Sequence, residues 1–142
     1  MGLDMYLIKR SYIGAIYDHN NVRGTLSITR RGHKLPIKLG RVRTIDEQVG
    51  YWRKAYFVDT WLSSHIPGGV KECRPHYVPI ETIKALYEEI SRRLHDNKNS
   101  LDSYELCEFK ETRRILGSVL REHKKDVADG VSEASYYYEP SW

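Results

Sequence analysis

From Asp4 to Tyr17 the chain alternates, with Tyr6, Ile8, Arg10 and Tyr12 on one side and Met5, Leu7 and Lys9 on the other. That period of two predicts a strand, with Gly14 marking a bulge or bend. Asp18-His19-Asn20-Asn21 reads as a turn. Val22 to Thr29 alternates again, Arg30-Arg31-Gly32-His33 turns, and Leu35 to Val42 predicts a third strand that Pro36 would keep at an edge. These three segments predict an antiparallel meander. Thr44 followed three residues later by Glu47 has capping-box spacing, so a helix is expected from about Ile45 to Ser64. Its apolar residues, including Val49, Trp52, Ala55, Val58, Trp61 and Leu62, fall on nearly every side, as in a helix buried on more than one face.

Pro67-Gly68-Gly69 ends that element, and Cys73 to Val78 reads as a short, extended connector. Pro79 suits the start of a second helix. Ile80, Ile83, Leu86, Tyr87, Ile90 and Leu94 form its apolar stripe, and Glu88–Arg92 and Glu89–Arg93 pairs support its outer face. After the polar loop His95 to Ser100, a third helix is predicted from Ser103 to Lys125, capped by Asp102, with Phe109, Leu116, Val119, Leu120 and His123 inward. Ala128-Asp129-Gly130 breaks it. The tail Ser135 to Trp142, with three consecutive tyrosines, predicts a final strand in which Trp142 is buried. The fold class is therefore α+β: an antiparallel sheet, made of the N-terminal meander plus the C-terminal strand, packed on about three helices. One domain spans residues 1–142, a length that suits one core.

Charge changes this picture in one place. Arg23, Arg30, Arg31, Lys34, Lys38, Arg41 and Arg43 lie between His19 and Ile45 with no acidic residue among them, although the whole chain carries only +4. The segment is either a well-solvated hairpin with guarded edges or the surface that meets an anionic partner. A second concentration lies in Gly50-Tyr51-Trp52-Arg53-Lys54-Ala55, where two aromatics adjoin two cations. Buried cations need compensation. Arg53 would either bridge a carboxylate, Asp4 being the candidate, or hold an anionic ligand while Tyr51, Trp52 or Tyr56 stacks on it. Lys54 is expected to be exposed.

Several chemistries find no support. Gly68-Gly69 lacks the Lys-Ser/Thr of a phosphate loop. Cys73 and His76 have no second pair at metal-ligand spacing, so neither a metal nor a cofactor is expected. Cys73 between Lys71 and Arg74 is either an activated thiol or a plain connector cysteine. The six histidines form no recognisable triad, and paired carboxylates such as Glu88-Glu89 read as solvated. Two cysteines make no disulfide framework. The first residues lack a signal-peptide pattern, Gly2 lacks the Ser or Thr of a myristoylation site because Tyr6 stands there, and no apolar run is long enough for a membrane span. These features lead to the expectation of a cytoplasmic protein that does not bind membranes.

Met1-Gly2-Leu3-Asp4-Met5-Tyr6-Leu7, Gly50 to Ala55, Cys73-x-x-x-Tyr77-Val78, Glu81, Thr112 with Ile115-Leu116, and the aromatic end closing on Ser141-Trp142 together resemble a family of small proteins of tailed phages and prophages. The likeness runs the length of the chain, and its first two motifs are the specific ones. Two positions depart from it: Tyr56 and Asp59 stand where the family has Asn and His. A Gly- and Phe-rich loop before the last helix is also replaced by Asn97 to Ser100. The resemblance implies phage provenance and fold shape; with no catalytic constellation visible, the expectation is a non-enzymatic phage-type accessory protein that acts by binding in the host cytoplasm, with counter-defence as the most economical role. Its partner would be anionic: a host protein, a nucleic acid or a nucleotide. The alternatives are a small enzyme acting on a nucleotide or nucleic acid, and a scaffold without a small ligand.

Overall fold

A computed structural model describes residues 2–14, 22–97, 99–131 and 134–142. Strand β1 (Asp4–Tyr12) follows the predicted alternation, with Met5, Leu7 and Lys9 buried. Thr29–Arg30 (β2) and His33–Lys34 (β3) form only a two-residue ribbon, separate from the main sheet. Arg31 and Gly32 carry it through a turn with φ of 51° and 79°, and Leu35 N–H donates to the Ile28 carbonyl beyond. The predicted strand Leu35–Val42 is instead irregular, with a 3-10 turn at Leu39–Arg41. The predicted turn at 18–21 and the end of the first predicted strand, 15–17, lie outside the described residues.

The largest correction concerns residues 44–53. The segment is not the start of a helix but strand β4 (Thr44–Arg53), antiparallel to β1. Its composition suits a strand: Thr44, Ile45, Val49, Tyr51 and Trp52 are β-branched or aromatic. Gly50 and Trp52 point inward, while Tyr51 and Arg53 point outward. Helix α1 begins only at Tyr56 and ends at His65. A period of two followed by a period of 3.6 put apolar residues on every side of the single helix expected there. The register shifts between Leu7 and Ile8, so the sheet's bulge falls on β4 around Val49 rather than at Gly14.

The remaining elements are β5 (His76–Val78), α2 (Ile80–Asp96), α3 (Ser103–Ala128) and β6 (Ala134–Ser141). The Asp102 side chain accepts from Glu105 N–H while Glu105 reaches back to Asp102 N–H, a reciprocal cap that starts α3 where predicted. On α2, Glu89 takes both Arg92 and Arg93, and no bridge joins Glu88 to Arg92. Strand order is β4-β1-β6-β5, antiparallel throughout. The N-terminal meander is thus replaced: β1 is flanked by β4 and by the last strand.

Helices cover one face of this sheet. Val58 and Leu62 of α1, Ile83, Leu86 and Ile90 of α2, and Phe109, Ile115, Leu116 and Val119 of α3 pack on Met5, Leu7, Trp52, Val78, Tyr136 and Tyr138. Two polar groups on that inner face are satisfied from the helices: Tyr138 O–H donates to Asp59, and Trp52 Nε1–H donates to Thr112 Oγ1 at 3.0 Å. Lys9 Nζ donates to Glu122 at 2.9 Å and Asp126 at 2.7 Å, pinning β1 to the end of α3. Burial pulls the pKa of Lys9 down, but its two carboxylate partners outweigh that, and the ammonium is held firmly charged. Trp142, expected to be buried, is 52% exposed; Tyr136, Tyr138 and Pro140 do the burying.

Candidate functional site

The Tyr51–Tyr56 segment turns from strand to helix. Lys54 sits in the left-handed region, with φ of 54°, between its N–H bond to the Leu3 carbonyl and its own carbonyl, which accepts from Tyr56 N–H and Tyr104 O–H. Ala55, the residue before α1, offers no side-chain cap. Glu108 of α3 substitutes for it, accepting from Phe57 N–H at 3.1 Å and Val58 N–H at 3.3 Å. Burial raises the Glu108 pKa, and the two amides only partly offset this.

Beside this turn lies a cleft of about 300 Å³ lined by Tyr51, Trp52, Arg53, Tyr104, Glu108 and Glu111, among others. Arg53 and Lys54 are both exposed. No carboxylate lies within bridging distance of Arg53 among the described residues: Asp4 faces it across the strand pair but accepts from Tyr51 O–H at 2.8 Å instead. Trp52 is 4% exposed and part of the core, so its ring offers no stacking face to solvent. Tyr56 is exposed on the first turn of α1, outside the residues lining the cleft. The cleft thus joins one cation to two carboxylates, a poor balance for an anion.

The seven cations expected to meet an anionic partner are gathered differently. Arg23, Arg30, Arg31, Lys34, Lys38, Arg41 and Arg43 are all exposed on the arm between β1 and β4. None bridges a carboxylate among the described residues, in agreement with the lack of acids in that stretch. No residue from Val22 to Val49 is fully buried. Leu26, Ile28, Ile37, Leu39, Val42 and Ile45 instead surround an apolar hollow of about 290 Å³ that reaches Thr44 at the base of β4. Ile28, Ile37 and Ile45 are 43%, 41% and 42% exposed.

The sheet face away from the helices adjoins this arm. Tyr6, Tyr12, Tyr51, Tyr77 and Tyr137 share it; Tyr12, Tyr51 and Tyr77 are exposed. Arg10 stacks on Tyr137, with its guanidinium 4.5 Å from the ring centre, while bridging Asp46 at 2.9 Å. The alternation of β1 signalled this face, but the tyrosines of β4 and β5 join it only through strand order. A third feature, a groove between α2 and α3, has no signal in the local sequence pattern of either helix alone.

Among the described residues no group of three His, Cys, Asp or Glu side chains is placed to hold a metal ion, and both cysteines are exposed and unpaired. No helix is long and apolar enough to cross a membrane. Compared with models of protein families, with curated proteins and with solved structures, the chain finds no match.

Proposed function

We propose that the protein is a non-enzymatic binding protein whose arm takes an acidic segment of a protein partner, in keeping with the phage accessory role its motifs resemble. The observation that carries this reading is the arm itself: it bears seven exposed cations with no ion pair among the described residues, and an apolar hollow lined by residues interspersed with them along the chain. Cations alone would suit any polyanion. The hollow favours an acidic peptide that also carries an apolar side chain, because a phosphate backbone has nothing to fill it. The arm also has no Tyr, Trp or Phe between Val22 and Arg43 on which bases would stack. The neighbouring tyrosine face, with Arg10 and Arg53, has the residue types that carry binding energy in protein interfaces. A counter-defence role would follow if the partner belongs to a host defence system.

Fluorescence anisotropy with three labelled probes tests this: an acidic peptide containing leucines, poly-glutamate of equal length, and a DNA duplex. The leucine-bearing peptide is expected to bind most tightly, weakly at high salt, and not at all to Arg30→Glu/Arg31→Glu/Lys34→Glu. Ile37→Ser should erase its advantage over poly-glutamate. Preference for the duplex would move the reading to nucleic acid, and binding indifferent to salt and charge reversal would refute it.

A further inference from the structure

Helix α3 carries Lys110, Arg114, Gly117 and Arg121 at successive steps of four, three and four, which places them on one stripe. Arg113 adjoins it. Tyr87, Ser91, Leu94 and His95 form a matching stripe on α2. The two stripes border a groove of about 770 Å³, whose lining contains five basic side chains and no carboxylate. Arg114 bridges Glu111, whereas Lys110, Arg113 and Arg121 have no carboxylate within bridging distance among the described residues. At Gly117 a Cβ would stand 3.2 Å from the Arg121 guanidinium and 3.4 Å from the Tyr87 ring. The missing side chain lets Arg121 lie back over the groove floor beside Tyr87. The Ser91 hydroxyl is buried at that floor and has no hydrogen-bond partner among the described residues.

We infer that this groove is a binding site for an oligophosphate chain, separate from the arm. Three cations with no carboxylate partner among the described residues and a neutral hydroxyl donor, along roughly 16 Å of helix axis at about 1.5 Å per residue, match a ligand with several anionic oxygens in a row. Such a chain would come from a nucleotide or from inorganic polyphosphate. An acidic peptide fits less well, because its carboxylates are spaced by backbone that needs hydrogen-bond partners, and the facing surfaces here are helices with their backbone already paired.

Isothermal titration of the full chain with inorganic tripolyphosphate, and separately with ATP, tests the site. Both are expected to bind. Equal affinities would indicate that phosphate alone is read, and tighter ATP binding would add a base contact at Tyr87. Lys110→Gln, Arg113→Gln and Arg121→Gln should each weaken binding about tenfold, the scale of one charge-assisted hydrogen bond. Ser91→Ala should weaken it by a smaller factor. Circular dichroism should show every variant folded, since the three cations are exposed. Arg30→Glu/Arg31→Glu on the arm should leave tripolyphosphate affinity within about twofold, because neither residue lines the groove and charges that do not touch the ligand are screened by salt. Absent binding, or binding reduced as much by the arm variant as by the groove variants, would overturn the inference, and neither result bears on the acidic-peptide reading of the arm.

Discussion

Replacing Gly50 by alanine adds one methyl group where β4 lies close against α3. That Cβ would stand 2.7 Å from Ile115 Cγ2, 3.2 Å from Leu7 Cβ and 3.3 Å from Trp52 Cη2. A comfortable carbon–carbon contact is about 3.5–4.0 Å, so Ile115 must retreat by on the order of 1 Å. Little in the surroundings yields. Leu7 Cβ is fixed to β1, Trp52 is held by its bond to Thr112, and Ile115 is buried in the core. Overpacking of this kind costs about 1–3 kcal/mol. Alanine also restricts the unfolded chain, which returns about 0.4–1 kcal/mol. The expected net loss is about 1–2 kcal/mol, or roughly 3–8 °C in Tm for a domain of this size. Urea unfolding followed by tryptophan fluorescence measures it. Ile115→Ala, costly alone, should cost less in the presence of Gly50→Ala, because the new methyl occupies the space vacated. A Gly50→Ala protein as stable as the parent, or a strictly additive double variant, would refute the packing argument.

Glu108 sets a pH dependence. Its carboxyl is raised from 4.5 in the folded state, chiefly by burial, so folding favours its protonated form. Its contribution to stability is fully present below the unfolded value and is lost as pH rises through the folded one. Relative to Glu108→Gln, the parent should therefore lose stability in urea titrations as pH rises from below the ordinary glutamate range through the raised value of the folded state; parallel curves would contradict this. At the other end of the chain, deleting Trp142 should change stability by no more than about 0.5 kcal/mol, as at an ordinary surface position. Tyr138→Ala should cost about 3–5 kcal/mol, and equal effects in thermal denaturation would show that the burial is wrongly apportioned.

The elements legible from the sequence were those with one uninterrupted period. The stripes of α2 and α3, the Asp102 cap, the β1 alternation and the strand nature of the tyrosine tail all appear where local pattern put them. Residues 44–65 carry a misleading local pattern because a strand and a helix meet there without a Pro or Gly at the junction. Lys54 makes the turn in the left-handed region that glycine usually occupies. The cap that starts α1 comes from Glu108, about fifty residues away, and leaves no trace beside Ala55. Pairing of β1 with the last strand was equally hidden, because no local signal says which strand inserts beside which. The basic arm was visible as composition, but its apolar hollow needs the fold of the turn at Arg31-Gly32. The α2–α3 groove was present in the spacing of Lys110, Arg114, Gly117 and Arg121, yet an outward-facing charged stripe on one helix becomes a groove only when a second helix lies alongside.

The position of β6 has a consequence for how the chain is made. β1 and β4 can pair as soon as residue 53 has left the ribosome, but the other edge of β1 waits for residues 134–141. Roughly eighty residues separate these events, so at about 5–20 residues per second the β1 edge stays unpaired for on the order of 4–16 s, while the Met5, Leu7 and Trp52 face is covered stepwise as α1, α2 and α3 emerge. Lys9 sits on that same face, and its partners Glu122 and Asp126 are also synthesised late. Until they arrive, its ammonium works as a gatekeeper charge that makes stacking of one nascent hairpin on another unfavourable. The residue that ties the finished sheet to α3 thus guards the unfinished one during translation.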